Sequence, residues 1–87
     1  MTWLPAWSTA VDRLIAEHRD LGMVLASARV EVRAYPSGRV LVVHVGDAQV
    51  AQELRDGRAS YEPEVLAACA LAGLAVDAVA FVEESTA

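Results

Sequence analysis

The run from Arg29 to Val45 constrains this chain more than any other stretch. Arg29-Val-Glu-Val-Arg-Ala-Tyr35 alternates polar and apolar residues with the period of two that a strand with one buried face requires. Pro36, Ser37 and Gly38 follow, a turn cluster in which proline presets φ and glycine accepts positive φ. Arg39 to Val45 is then rich in β-branched residues and apolar on both faces. The two runs predict a hairpin whose second strand lies the deeper.

Helical patterns flank the hairpin. Upstream, Leu4, Trp7, Val11, Leu14, Ile15 and Leu21 recur at the spacing of one helix face, with Asp12, Arg13, Glu17 and Arg19 between them. Pro5 suits a first turn and Gly22 is expected to end the helix in a left-handed conformation, leaving Met23 to Ala28 for one further short turn. Downstream, Asp47 is placed to cap a helix with the apolar stripe Val50, Ala51 and Leu54, ending near Gly57. Ser60 is expected to cap the next helix, with Glu62 and Glu64 in its first turn and Tyr61, Val65, Leu66, Cys69 and Ala72 on its buried side. Gly73 closes that helix, Leu74 to Val82 reads as a final strand, and residues 83–87 read as a flexible tail. The order α-(α)-β-β-α-α-β predicts an α+β fold, a three-stranded sheet with helices packed on one face and the other face wet or used for binding. At 87 residues the chain fits a single domain, 1–87.

Composition narrows the function. The chain is 55% apolar, which separates it from disordered tails, yet its longest uncharged stretch, Val65 to Val76, is too short to span a bilayer and is interrupted by Gly73. No basic segment followed by an apolar core opens the chain, so the cytoplasm is the expected compartment and no membrane partner is expected. A lone cysteine, Cys69, gives neither a disulfide framework nor a thiolate pair for zinc. Seven basic against twelve acidic residues leave a net charge of −5, the wrong sign for a module that binds by neutralising phosphates. Direct nucleic-acid binding is therefore expected to be weak or absent, although Arg29, Arg33, Arg39, Arg55 and Arg58 cluster in the middle third.

Catalytic templates fail on their first requirements. The five glycines are dispersed as single stops, so no phosphate-cradling loop is present. His18, His44 and Cys69 lie far apart on three different elements, which does not suit zinc. Cys69, His44 and Asp47 form a nucleophilic set on paper only, because Cys69 sits on an alanine-rich stripe typical of a small core residue. Neither an enzyme nor a cofactor is expected. Trp3 and Trp7, one helical turn apart near the N-terminus, are candidates for an aromatic anchor, with Trp3 the more exposed. If the pair is buried, the expected interface moves to the open sheet face and to Gln52, Arg55 and Arg58.

The stretch Trp7-Ser-Thr-Ala-Val11-Asp-Arg-Leu-Ile15-Ala16-Glu-His18 resembles the opening of the DciA family of bacterial replicative-helicase loaders. Gly38-Arg-Val-Leu41-Val-Val43 is similar to that family's glycine and alternating strand, Ala51-Gln52-Glu53-Leu54-Arg55 to its next helix, and Val76-Asp-Ala-Val79-Ala-Phe81 to its closing strand. The N-terminal domain of the initiator DnaA and the KH-like domain of the DNA polymerase III tau subunit share the order of elements, and Leu25-Ala-Ser-Ala-Arg29 looks like the tau pattern before its hairpin. The GXXG loop of a nucleic-acid-binding KH domain is missing. The resemblance implies a KH-like fold and a non-enzymatic protein-interaction module of DNA replication that recruits or loads the replicative helicase. The alternatives it implies are a tau-like or initiator-like docking domain, or a self-associating adaptor that forms a homodimer. On this reading Trp3, Trp7, His18, Gln52, Arg55 and Arg58 are the partner-binding candidates.

Overall fold

The computed structural model describes residues 3–84. Along the chain lie α1 (Leu4–Glu17), α2 (Arg19–Ser27), β1 (Arg29–Tyr35), β2 (Gly38–Val45), α3 (Ala48–Asp56), α4 (Arg58–Leu71) and β3 (Ala78–Glu83). The strands form one mixed sheet in the order β1-β2-β3, with β1 antiparallel and β3 parallel to the central β2. The helices pack on one face, as the α+β order predicts.

The core follows from the register. Leu41, Val43 and Val45 of β2 point to the helical side, and Val79 and Phe81 stand beside Leu41 and Val43 on β3. All five are buried against Trp7, Leu14, Leu25, Leu54, Val65 and Cys69 from the helices. Burying a side chain of this size stabilises by about 1.5–3 kcal/mol relative to leaving it exposed. The hairpin has the expected form: Pro36 and Ser37 make the turn, and Gly38 adopts φ +141°, a region that favours glycine. Asp77 then ties the entrance of β3 to β2. Its amide donates to the Arg39 carbonyl at 2.8 Å and its carboxylate accepts from the Arg39 amide at 2.9 Å.

Two helix ends differ from expectation. The first helix breaks at His18 (φ −140°, ψ 76°), four residues before Gly22, and Gly22 lies buried inside α2. A Cβ at Gly22 would lie 2.4 Å from the backbone nitrogen of Ile15. Glycine is needed there for close helix-to-helix approach, not for a left-handed turn. The residues assigned to a short extra turn from Met23 therefore belong to a helix that starts at Arg19. The apolar spacing from Leu14 to Leu21 and Leu25 runs through the break without interruption, which hides it from periodicity.

The second difference is at α4. Gly57, not Ser60, is its N-cap, and the Gly57 carbonyl accepts from the amides of Ser60 and Tyr61 at 2.9 and 3.0 Å. The Tyr61 ring lies across Gly57, where a Cβ would come within 2.6 Å of it. Glu62 and Glu64 thus sit beyond the first turn. Asp47 caps α3 as expected, accepting from the amides of Gln49 and Val50 at 2.8 and 3.2 Å. Gly73 ends α4 at φ +86° in a Schellman arrangement, with the Leu74 amide bonded to the Cys69 carbonyl at 2.8 Å.

The last strand starts later than expected, at Ala78, and Leu74 to Asp77 form its approach. Glu83 ends β3, and the Glu84 amide still donates to the Val45 carbonyl at 2.8 Å while its carboxylate meets Arg29 at 2.7 Å. The expected tail begins two residues inside this ordered pairing; residues 85–87 lie outside the described residues.

Glu62 closes part of the β3 edge. Its carboxylate accepts from the Val79 amide at 2.8 Å and from Arg58 at 2.9 Å. The Val79 amide, and secondarily the Arg58 guanidinium, hold this carboxyl below the ordinary carboxylate range. A depressed folded-state pKa stabilises the fold above the unfolded carboxylate pKa, and that contribution disappears as pH falls through the folded value. Glu62→Ala is therefore expected to cost about 1–2 kcal/mol at pH 7, and the difference from the parent protein is expected to shrink only as pH is lowered through the depressed folded-state value, read from urea unfolding along an acid pH series. Gly22→Ala is expected to cost about 1–3 kcal/mol through overpacking against Ile15, seen as a lower urea midpoint with an unchanged slope.

Candidate functional site

The break at His18 turns α2 so that it forms one wall of a cleft of about 440 Å³. α3 and α4 form the other walls. Its floor is apolar: Leu21 and Val24 come from α2, Val50 and Leu54 from α3, and Tyr61 from α4. Leu21 and Leu54 belong to the buried core, and Val24, Val50 and Tyr61 lie on the helix flanks beside it. Val24, Val50 and Tyr61 are accordingly half-buried. The rim is polar and largely acidic, with Asp20, Glu53 and Glu64 set against Arg19. At one end His18 Nε2 lies 2.9 Å from Glu64 Oε2, a pair joining the α1–α2 break to α4. Both side chains are nearly half exposed, so the pair lies at the surface and binds weakly.

The sheet offers a second surface. The strand pairing places Arg29, Glu31, Arg33 and Tyr35 on the face away from the helices, beside Val40, Val42 and His44 and then Ala78, Ala80 and Val82. Val42 is buried, yet it stands apart from the core cluster because its neighbours on this open face cover it. Glu31 Oε1 accepts from both Arg33 and His44, the latter at 3.0 Å. These two partners, His44 first, hold the Glu31 carboxyl below its usual range. Arg33 is in turn held further protonated by Tyr35 and Glu31. His44 is thus a hydrogen-bonded sheet-surface histidine.

The six sequence candidates do not converge. Trp7 is buried in the core, and Trp3, ahead of α1, is half-buried and packed against it, so neither offers a free aromatic anchor. His18 alone lines the cleft. Gln52 donates to Asp56 at 2.8 Å and accepts from Arg55 at 3.2 Å, forming a short chain along the exposed side of α3, away from the cleft wall. Arg58 is engaged with Glu62. Three of the five clustered arginines are likewise paired with acids, Arg29 with Glu84, Arg33 with Glu31 and Arg58 with Glu62. No concentrated positive field arises from them. Asp20, Val24 and Glu53 escaped the sequence reading, and Val50 entered it only as part of an apolar helix stripe, because a cleft between three helices has no periodic signature. Tyr61 was legible only as a buried-side residue.

The paper triad also separates. Cys69 is fully buried on the helical side of the sheet, while His44 faces the open side. Burial pushes the Cys69 thiol up to about 11, far from the thiolate that nucleophilic chemistry needs. Among the described residues no group of three or more His, Cys, Asp or Glu side chains is gathered as metal ligands, and no helix is long and apolar enough to cross a membrane. Every buried side-chain nitrogen or oxygen among them has a partner, so no polar group is aimed unpaired into the cleft.

Cys69 is expected to resist an aromatic disulfide reagent at pH 8 in the native protein and to react at once in denaturant. Fast native labelling, followed by absorbance, would contradict the burial. Comparison with protein-family models, with curated proteins and with solved structures gives no match to this chain.

Proposed function

We propose that this domain is a cytoplasmic, non-enzymatic adaptor that docks an apolar, basic-flanked segment of a partner protein in the cleft between α2, α3 and α4. The observation that carries the reading is the composition of that cleft: a floor of Leu21, Val24, Val50, Leu54 and Tyr61 under a rim of Asp20, Glu53 and Glu64. An amphipathic helix can lay its apolar face in such a groove while basic residues meet the rim. Small-molecule sites instead place a few polar groups in the depth of the pocket to fix orientation. The polar groups here stand on the rim, where they steer and select more than they bind.

The resemblance of Trp7 to His18, Gly38 to Val43 and Ala51 to Arg55 to the DciA pattern suggests the partner. On this reading it is the bacterial replicative helicase, which the domain recruits or positions for loading. Direct contact with nucleic acid has no part in the proposal, in keeping with the net charge of −5.

Titration calorimetry with purified replicative helicase tests it. Binding is expected, and Glu53→Lys together with Glu64→Lys is expected to weaken it about tenfold or more, with the fold intact by circular dichroism. No heat and no complex on gel filtration would remove the helicase as partner. Binding indifferent to both substitutions would move the interface off the cleft.

A further inference from the structure

Among the described residues β1 is the terminal strand of the sheet, paired on one side only. Which of its backbone groups face outward follows from β2. The Arg39 and Val45 carbonyls of β2 accept from Asp77 and Glu84 on the β3 side, so the odd-numbered residues of β2 turn their backbone toward β3 and the even-numbered ones toward β1. The even residues of β2 stand opposite Arg29, Glu31, Arg33 and Tyr35. Val30, Val32 and Ala34 therefore present their amides and carbonyls outward. The usual protections of such an edge are a proline, a bulge or charges that repel a second strand. β1 has no proline, pairs with β2 in unbroken register, and carries charges of alternating sign.

We propose that β1 is a self-pairing edge, which joins two copies of this chain antiparallel about a two-fold axis through Val32. That register sets Val32 against Val32, Val30 against Ala34, Glu31 against Arg33 and Arg29 against Tyr35 of the second copy. The first two sets exchange about six backbone hydrogen bonds, using the outward groups of both strands. The other two are non-hydrogen-bonded positions, where facing side chains come closest. Glu31 and Arg33 meet there twice as opposite charges. Arg29 meets the face of Tyr35 twice, and Tyr35 is 47% exposed in the single chain.

Neighbouring registers are poorer. An axis through Glu31 opposes Glu31 to Glu31 and Arg29 to Arg33, and an axis through Arg33 opposes Arg33 to itself. An axis through Val30 again joins unlike charges but leaves Ala34 and Tyr35 unpaired. The Val32 register alone combines complementary charge with the full length of the strand. The result is a continuous six-stranded sheet with the helices of both copies on one side. The cleft between α2, α3 and α4 lies on another part of the surface, so the inference is independent of the docking partner.

Sedimentation equilibrium over a wide concentration range tests the pairing. A monomer–dimer equilibrium is expected in dilute salt. Glu31→Arg and Arg33→Glu, made singly, are each expected to raise the dimer dissociation constant about tenfold or more, because each sets like charges opposite one another twice. Combining them exchanges the charges and is expected to restore the dimer. That rescue is a result a merely unfolded variant cannot give. A chain that stays monomeric at every concentration, or a dimer untouched by either single substitution, would overturn the proposal.

Discussion

The fold depends on the burial of β2, in which Leu41, Val42, Val43 and Val45 are withdrawn from solvent. Among the described residues it is the only strand with a neighbour on each side, and its inward residues Leu41, Val43 and Val45 are the surface on which the helices close. Even its outward Val42 is withdrawn from solvent. A strand so enclosed has no polar alternative for its backbone, so both neighbours are required: β1 through a tight turn and β3 through the long α3–α4 connection. The crossover explains why a long helical connection follows the hairpin. Parallel strands cannot be joined by a short turn.

Much of this architecture is legible in the residues, for reasons that differ by element. The hairpin is legible because alternation with a period of two and a Pro-Ser-Gly turn are both local signals. The Asp47 cap and the Gly73 terminus are legible because each answers a need of the residues next to it. What escapes is whatever depends on distant neighbours. Gly22 reads as a stop until Ile15 is seen against it. Ser60 reads as a cap until the Tyr61 ring is found lying over Gly57. Glu62 reads as a favourable first-turn charge, whereas its partner is an amide seventeen residues away.

The same distinction governs the candidate site. Trp3 and Trp7 were conspicuous as residues, but a pair of large rings at the start of an 87-residue chain has a core to fill before it has a partner to meet. The cleft residues are individually ordinary. They become a surface only through the geometry of three helices, set by the break at His18 and the close approach at Gly22. His18 is the one candidate that sequence and structure share there. It owes its place to the break, which fixes where α1 stops and α2 turns.

The Glu62 carboxylate on the Val79 amide gives the sheet a direction. A three-stranded sheet with both rims free can be extended without limit, one molecule handing an edge to the next, which is how ordered aggregates propagate. Here one rim is interrupted by a side chain from α4 while the other, among the described residues, has no strand beside it. Strand addition at the bare rim about a two-fold axis uses up the open edge of both molecules and leaves their obstructed edges outermost. Such a contact is closed, and a closed contact ends in a pair, not a fibre.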